Sequence, residues 1–213
     1  MKNKTAILLN LAILALVIYA WGGMVIGVDT GKALTAQRLR SLKYFTVDSN
    51  ILMAVSALIA AVFEIRSLGN GGREIPGWVY ILKLTGTTSV TLTLMTVLVF
   101  LGPLFGYPSM FAGMNLHLHL TVPVLAILTF CLFERTGGLT FRHTLIAVIP
   151  MIVYGTFYLE NILLNGRGEW PDTNDWYGFA MWGIPASFLV FVIIAAATWV
   201  FALILWKLNR IRK

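Results

Sequence analysis

Apolar residues in this chain come in blocks of about 20, and that spacing constrains the fold more than any other feature. Six such runs are visible, at roughly 6–26, 44–65, 78–101, 110–133, 145–164 and 179–206. A helix of ~20 residues at ~1.5 Å each crosses a hydrocarbon core of ~30 Å. Blocks rather than alternation exclude an outer-membrane barrel and predict helices. The composition agrees: 58% hydrophobic, 12% charged and a mean hydropathy of +0.82 lie outside the range of a soluble domain. The expected architecture is all-α, a single six-helix transmembrane bundle over residues 1–213, in an integral, multi-pass protein. The first run, after Met1-Lys2-Asn3-Lys4, is too long for a signal peptide and lacks an A-x-A site. It reads as an uncleaved first helix.

The net charge of +7 does not point to nucleic acid, because the basic residues sit in short loops and at the ends. Ten fall on one side of the bundle: Lys2, Lys4, Arg66, Arg73, Arg135, Arg142, Lys207, Arg210, Arg212 and Lys213. Five fall on the other: Lys32, Arg38, Arg40, Lys43 and Arg167. The bias predicts both termini in the cytoplasm, although the segment before the second run pulls the other way. Cys131 stands alone, which excludes an intrachain disulfide.

Two polar stretches interrupt the apolar blocks. Thr46-Val47-Asp48-Ser49-Asn50 opens the second run, and Asn115-Leu116-His117-Leu118-His119-Leu120-Thr121-Val122-Pro123 lies in the fourth. Ionisable groups in a span are costly and mark function by default. In this topology Thr46, Asp48, Ser49, Asn50, His117, His119, Tyr154, Tyr158, Glu160 and Asn161 all fall in the half away from the termini. The other half reads as nearly all apolar. Convergence at one depth suggests one pocket.

Helical spacing sorts these residues. Asn115 and His119 share a face, as do Thr46, Ser49 and Asn50, whereas His117 and His119 point about 200° apart. A threonine hydroxyl becomes a nucleophile when an imidazole takes its proton. Asn side chains can stabilise an oxyanion. Thr46 and His119 are the candidate catalytic pair; Asn50, Asn115 and Ser49 are candidates for substrate or oxyanion contacts. Lys43, Asp48, Glu160 and Trp170 are candidate supports. The plainer reading is interhelical hydrogen bonding. The hydroxyls of the third run, Thr85 through Thr96, are read as bonding back to their own helix. Asp48 and Glu160 are candidates to pair with Arg38, Arg40 or Lys43; His143 reads as solvated, and Trp170 and Trp176 as interfacial anchors.

Other chemistries fit less well. Two intramembrane histidines on one helix with opposed directions do not suit a bis-histidine haem. No zinc pattern stands in the sequence, so neither metal nor cofactor is expected.

At the two polar stretches the sequence resembles the androgen-induced and androgen-dependent six-pass membrane threonine hydrolases, and a related set of bacterial six-pass membrane proteins. The matching residues are Lys43-Tyr44-Phe45-Thr46, then Asn115, His119, Thr121 and Val122, with Gly168-Glu169-Trp170 in the last long loop. The family cleaves fatty acid esters of hydroxy fatty acids. The resemblance therefore implies a lipid ester substrate, Thr46 as nucleophile and His119 as its partner. There are departures: Pro123 falls one place early, and Pro171 follows Trp170 directly where a Tyr-Pro pair is expected. The alternatives are a small proton-linked transporter or lipid-binding protein with His119, Asp48 and Glu160 as relays, and an accessory protein without chemistry. Substrate identity and oligomeric state are not written in the sequence.

Overall fold

The computed structural model describes residues 2–28, 38–69, 74–169 and 172–210. Several features singled out in the sequence lie outside these: Lys32, the turn at 70–72, Arg73, Trp170, Pro171, Arg212 and Lys213. The described residues are helical and contain no strand. We number the long helices α1 (Lys2–Ile26), α2 (Phe45–Gly69), α3 (Gly77–Phe105), α4 (His117–Phe133), α5 (Phe141–Asn165) and α6 (Ile184–Arg210). All but α4 are long and apolar enough to cross a membrane. Large apolar side chains such as Val99, Phe157, Leu163, Leu189 and Ile193 stand on the outside of the bundle. That surface is compatible with lipid and costly in water.

The fourth apolar run departs from the expected full-length span. It starts with a single helical turn, Tyr107–Met110, and an irregular stretch, and α4 begins only near His117. At ~1.5 Å per residue, α4 is about 25 Å long. The sequence supplies the breakers. Gly106 adopts φ +85°, and Pro108 fits the first turn of the next short helix. Gly102 lets Tyr107 lie flat on the chain; a Cβ there would fall 2.2 Å from the Tyr107 ring. The Tyr107 hydroxyl then donates to the Leu98 carbonyl at 2.8 Å, within a π-turn at Val97–Leu101.

Small residues set the α2–α3 contact. Ala54, Ala57, Ala60 and Ala61 of α2 are buried, and Gly86 of α3 sits against Met53 and Ser56. Close backbone approach of this kind is compatible with a bundle in lipid, where helices associate without a hydrophobic drive. A dry middle layer of Ile13, Val17, Met53, Ala54, Ala57, Val90, Val122 and Ala126 joins α1 to α4. Several α3 hydroxyls bond back to their own helix, Thr85 to Ile81, Ser89 to Thr85, and Thr91 to Thr87, at 2.7–3.0 Å, whereas Thr87 donates to Met53 Sδ and Thr93 pairs with Ser49 on α2.

One expectation is overturned. The half of the bundle near the N-terminus is not apolar throughout. Asn10, Glu64, Lys83 and Glu134 are all buried there, in contact with one another. The apolar runs hid them, because each is a single polar residue on a different helix or at its end.

Candidate functional site

The start of α2 is held from outside the helix. Before it, a short 3₁₀ helix, Arg38–Lys43, turns the chain inward. The phenol oxygen of Tyr177 accepts the Phe45 N–H at 2.9 Å, capping one of the amides that a helix start leaves unpaired. Burial pushes the Tyr177 phenol up to about 12 and also raises that of Tyr44, so both are neutral hydroxyls at physiological pH. Tyr154 donates to the Lys43 carbonyl at 2.6 Å and accepts from Trp176 Nε1 at 3.0 Å. The Lys43 ammonium lies over the rings of Tyr44 and Trp176, 5.2 and 5.4 Å from their centres. Three loop and helix aromatics thus fix where Thr46 stands.

The start of α4 is a π-turn, His117–Thr121. In this register each carbonyl accepts from the N–H five residues on, as His117 does from Val122. Pro123 has no N–H to offer the Leu118 carbonyl. Asn50 of α2 fills the gap. Its amide donates to the Leu118 carbonyl at 3.0 Å and to the Thr46 carbonyl at 2.7 Å. One side chain therefore ties the turn carrying Thr46 to the turn carrying His119.

His119 is buried, and its Nδ1 lies 2.6 Å from the Met110 carbonyl. A carbonyl only accepts, so Nδ1 carries the proton and Nε2 of the neutral ring has a lone pair. The break between α3 and α4 makes that carbonyl available, since Met110 ends a helical turn that does not continue. His117 points elsewhere, edge-on to Tyr19 of α1 at 5.6 Å between ring centres.

Thr46, Asn115 and His119 line one cavity of about 100 Å³, with Tyr44, Trp176 and Tyr177 in its wall. Thr46 also lines a second, more apolar cavity of about 60 Å³ between α2, α3, α5 and α6, bounded by Phe45, Leu92, Met151, Tyr154 and Phe191. Thr46, Leu101 and Tyr177 border both.

Of the other residues singled out in the sequence, Tyr154 and Tyr158 line the second cavity, whereas Ser49, Asn50, Asp48 and Glu160 line neither. Ser49 is engaged with Thr93 of α3 at 2.9 Å and with the Thr46 carbonyl. Asn50 spends both amide hydrogens on backbone. Neither is placed as an oxyanion donor; both position the helices. Asp48 lines neither cavity, and Glu160 is exposed on α5. Arg40 pairs with Asp172 at 3.5 Å on the surface. His143 accepts the Thr140 N–H in a helix cap. Trp170 lies outside the described residues. Trp176 is more than an anchor, since it packs on Tyr158 at 4.9 Å and walls the cavity. Tyr177, Tyr44 and Trp176 were missed as site residues because aromatic loop residues at a membrane boundary ordinarily read as anchors. For Trp176 and Tyr177 the available signal was their place beside Asp175, which the Tyr158 hydroxyl holds through a short hydrogen bond.

Compared with protein-family models, with curated proteins and with solved structures, the chain matches none.

Proposed function

We propose that the protein is an intramembrane hydrolase of lipid esters, with Thr46 as nucleophile and His119 as general base and acid. The observation that carries this is the shared cavity. Thr46 and His119 border one space, and the Met110 carbonyl holds His119 in the tautomer whose Nε2 accepts a proton. In the first half-reaction His119 Nε2 takes the Thr46 proton as the hydroxyl oxygen bonds to the ester carbonyl carbon. The tetrahedral intermediate collapses, its C–O bond to the leaving alcohol breaks, and His119 returns the proton to that alcohol. In the second, His119 deprotonates a water that attacks the acyl-threonine; the fatty acid leaves and Thr46 regains its proton. Asn115 lines the same cavity, which supports a role for its side-chain amide toward the oxyanion. The largely apolar walls of both cavities suit a hydrocarbon chain better than a charged substrate.

The protein would lie in a bacterial inner membrane with both termini cytoplasmic, as the basic-residue bias indicates. The site then belongs to the opposite half of the bilayer, within reach of lipid. The test is a fluorophosphonate-type probe on purified protein, followed by mass spectrometry. The expected adduct is on Thr46, absent from Thr46→Ala and strongly reduced in His119→Ala. Full labelling of Thr46→Ala would refute the assignment.

A further inference from the structure

At the end of the bundle that holds the N-terminus, four helices bring together a lysine, two glutamates and an asparagine. Lys83 of α3 is 1% exposed, Asn10 of α1 is 0%, Glu134 just after α4 is 4%, and Glu64 of α2 is 5%. Lys83 Nζ donates to Asn10 Oδ1 at 2.6 Å and lies 3.3 Å from Glu134 Oε2. The Asn10 amide donates to both carboxylates, at 2.6 Å to Glu134 and 3.3 Å to Glu64. Asn209 of α6 closes the end of α4 by donating to the Phe130 and Glu134 carbonyls at 2.7 and 3.0 Å. The other titratable group at the cluster is Tyr80 of α3. Arg135 reaches the Cys131 carbonyl with its Nε at 3.0 Å.

The charges do not balance. Among the described residues one ammonium faces two carboxylates, so full ionisation leaves a net negative charge on groups that are all buried. A buried uncompensated charge is far costlier than a neutral, hydrogen-bonded acid. The geometry also divides the two acids. Glu134 has the ion pair and the short bond to Asn10; Glu64 has a single long one. Glu134 Oε2 is buried close to the ammonium but makes no hydrogen bond. Glu64, Lys83, Glu134 and Tyr80 border a void of about 10 Å³. That is about the space of one water. It excludes a metal ion with its shell, or any organic ligand.

We propose that this cluster is a proton-binding site, which holds one exchangeable proton on Glu64 beside the Lys83–Glu134 ion pair. Glu64 carries the proton because Glu134 has the ion pair and the shorter bond to Asn10. Four groups then sum to zero charge, and release of the proton places one negative charge among α1, α2, α3 and the end of α4. The two glutamates titrate as a pair, and the proton belongs to the cluster as much as to either residue.

The test is infrared spectroscopy of the full chain in lipid nanodiscs at neutral pH, after exchange into D₂O. The wild type is expected to show a protonated carboxyl band that exchanges slowly. Glu64→Gln copies the protonated acid without its charge, so it should fold and lose that contribution. Lys83→Met leaves both acids without a cation, and the band should roughly double as each takes a proton. The Asp48 carboxyl is common to all three samples and cancels in the difference. Stability gives an independent reading. It should be greatest while the cluster holds its proton and fall as the pH is raised until the cluster releases it, whereas Glu64→Gln should lose that slope. An unchanged band in Glu64→Gln, an equal pH slope in both proteins, or failure of Glu64→Gln to fold would each overturn the proposal.

Discussion

Asn50 makes a testable joint between the two halves of the candidate site. Asn50→Ala removes two hydrogen bonds, one to the Thr46 carbonyl and one to the Leu118 carbonyl. The interhelical bond to Leu118 contributes about 0.6 kcal/mol on the average of such bonds and at most about 1.7, and the bond to Thr46 within α2 about 0.5–1.5. The expected loss is therefore about 1–3 kcal/mol, toward the upper end, because the Leu118 carbonyl has no N–H from Pro123 to fall back on. That dependence can be isolated. Pro123→Ala restores an N–H five residues after Leu118, in the register that the π-turn already uses. In that background Asn50→Ala should cost less by the Leu118 share, about 0.6–1.7 kcal/mol. Denaturant unfolding in mixed micelles of the wild type, the two single variants and the double variant gives the coupling directly. Additivity within ~0.5 kcal/mol would refute the link between Pro123 and Asn50. A cost below ~0.5 kcal/mol for Asn50→Ala itself would show that α2 and α4 are joined by packing instead.

Three further outcomes follow from the same geometry. His117→Ala should keep probe labelling within a few-fold of the wild type, since that ring packs on Tyr19, whereas His119→Ala should lower it by roughly two orders of magnitude or more, as loss of a general base commonly does; equal loss in two folded variants would remove the distinction. Gly86→Ala should destabilise by about 1–3 kcal/mol, because its Cβ would meet Ser56 Oγ at 2.7 Å and the Met53 Cα at 3.2 Å; a neutral effect on unfolding would mean that α2 and α3 separate easily. Tyr177→Phe deletes the cap on the Phe45 N–H and should cost about 0.5–1.5 kcal/mol while slowing labelling of Thr46; an unchanged midpoint would leave α2 capped by other means.

Much of the fold was legible because it rests on local signals: run length, Gly and Pro breaks, and helical periodicity. The separation of His117 from His119 is of this kind, and so is the common face of Asn115 and His119. What the sequence did not show depends on contacts far apart in the chain. Ser49 and Asn50 share a face with Thr46, which suggested a common role toward substrate. Only the partners on α3 and α4 show that their hydrogens are spent on holding helices together. The Met110 carbonyl that sets the His119 tautomer is unreadable in sequence, since every residue has a carbonyl and only a chain break aims one. The shortened α4 was hidden because its irregular entry, 111–116, is as apolar as a helix would be. The Asn10–Glu64–Lys83–Glu134 cluster was hidden for the opposite reason: each member looks like a stray polar residue until four helices bring them together.

The position of that cluster bears on the transporter reading. Glu64 follows Thr46 by 18 residues on one unbroken helix, so the two centres lie about 27 Å apart along α2. Between them stands the layer of Ile13, Val17, Met53, Ala57, Val90 and Val122, all buried. Most hydroxyls at this depth bond within their own helix: Ser56 donates to the Met53 carbonyl, Ser89 to Thr85 and Thr91 to Thr87. Thr87 reaches across to Met53 Sδ, a thioether that passes no proton on. A backbone carbonyl accepts a hydrogen bond but does not pass a proton on. His119 borders the 100 Å³ cavity with Nδ1 bound to Met110. On the proposed chemistry, protons for His119 would come and go through that cavity, and those for Glu64 from the other face. Proteoliposomes loaded with a pH-sensitive dye should show no protein-dependent proton leak under an imposed pH gradient. Thr46→Ala and Glu64→Gln should behave like the wild type. A leak carried by the wild type and abolished by His119→Ala or Glu64→Gln would connect the two centres and put a proton-coupled transporter ahead of the hydrolase.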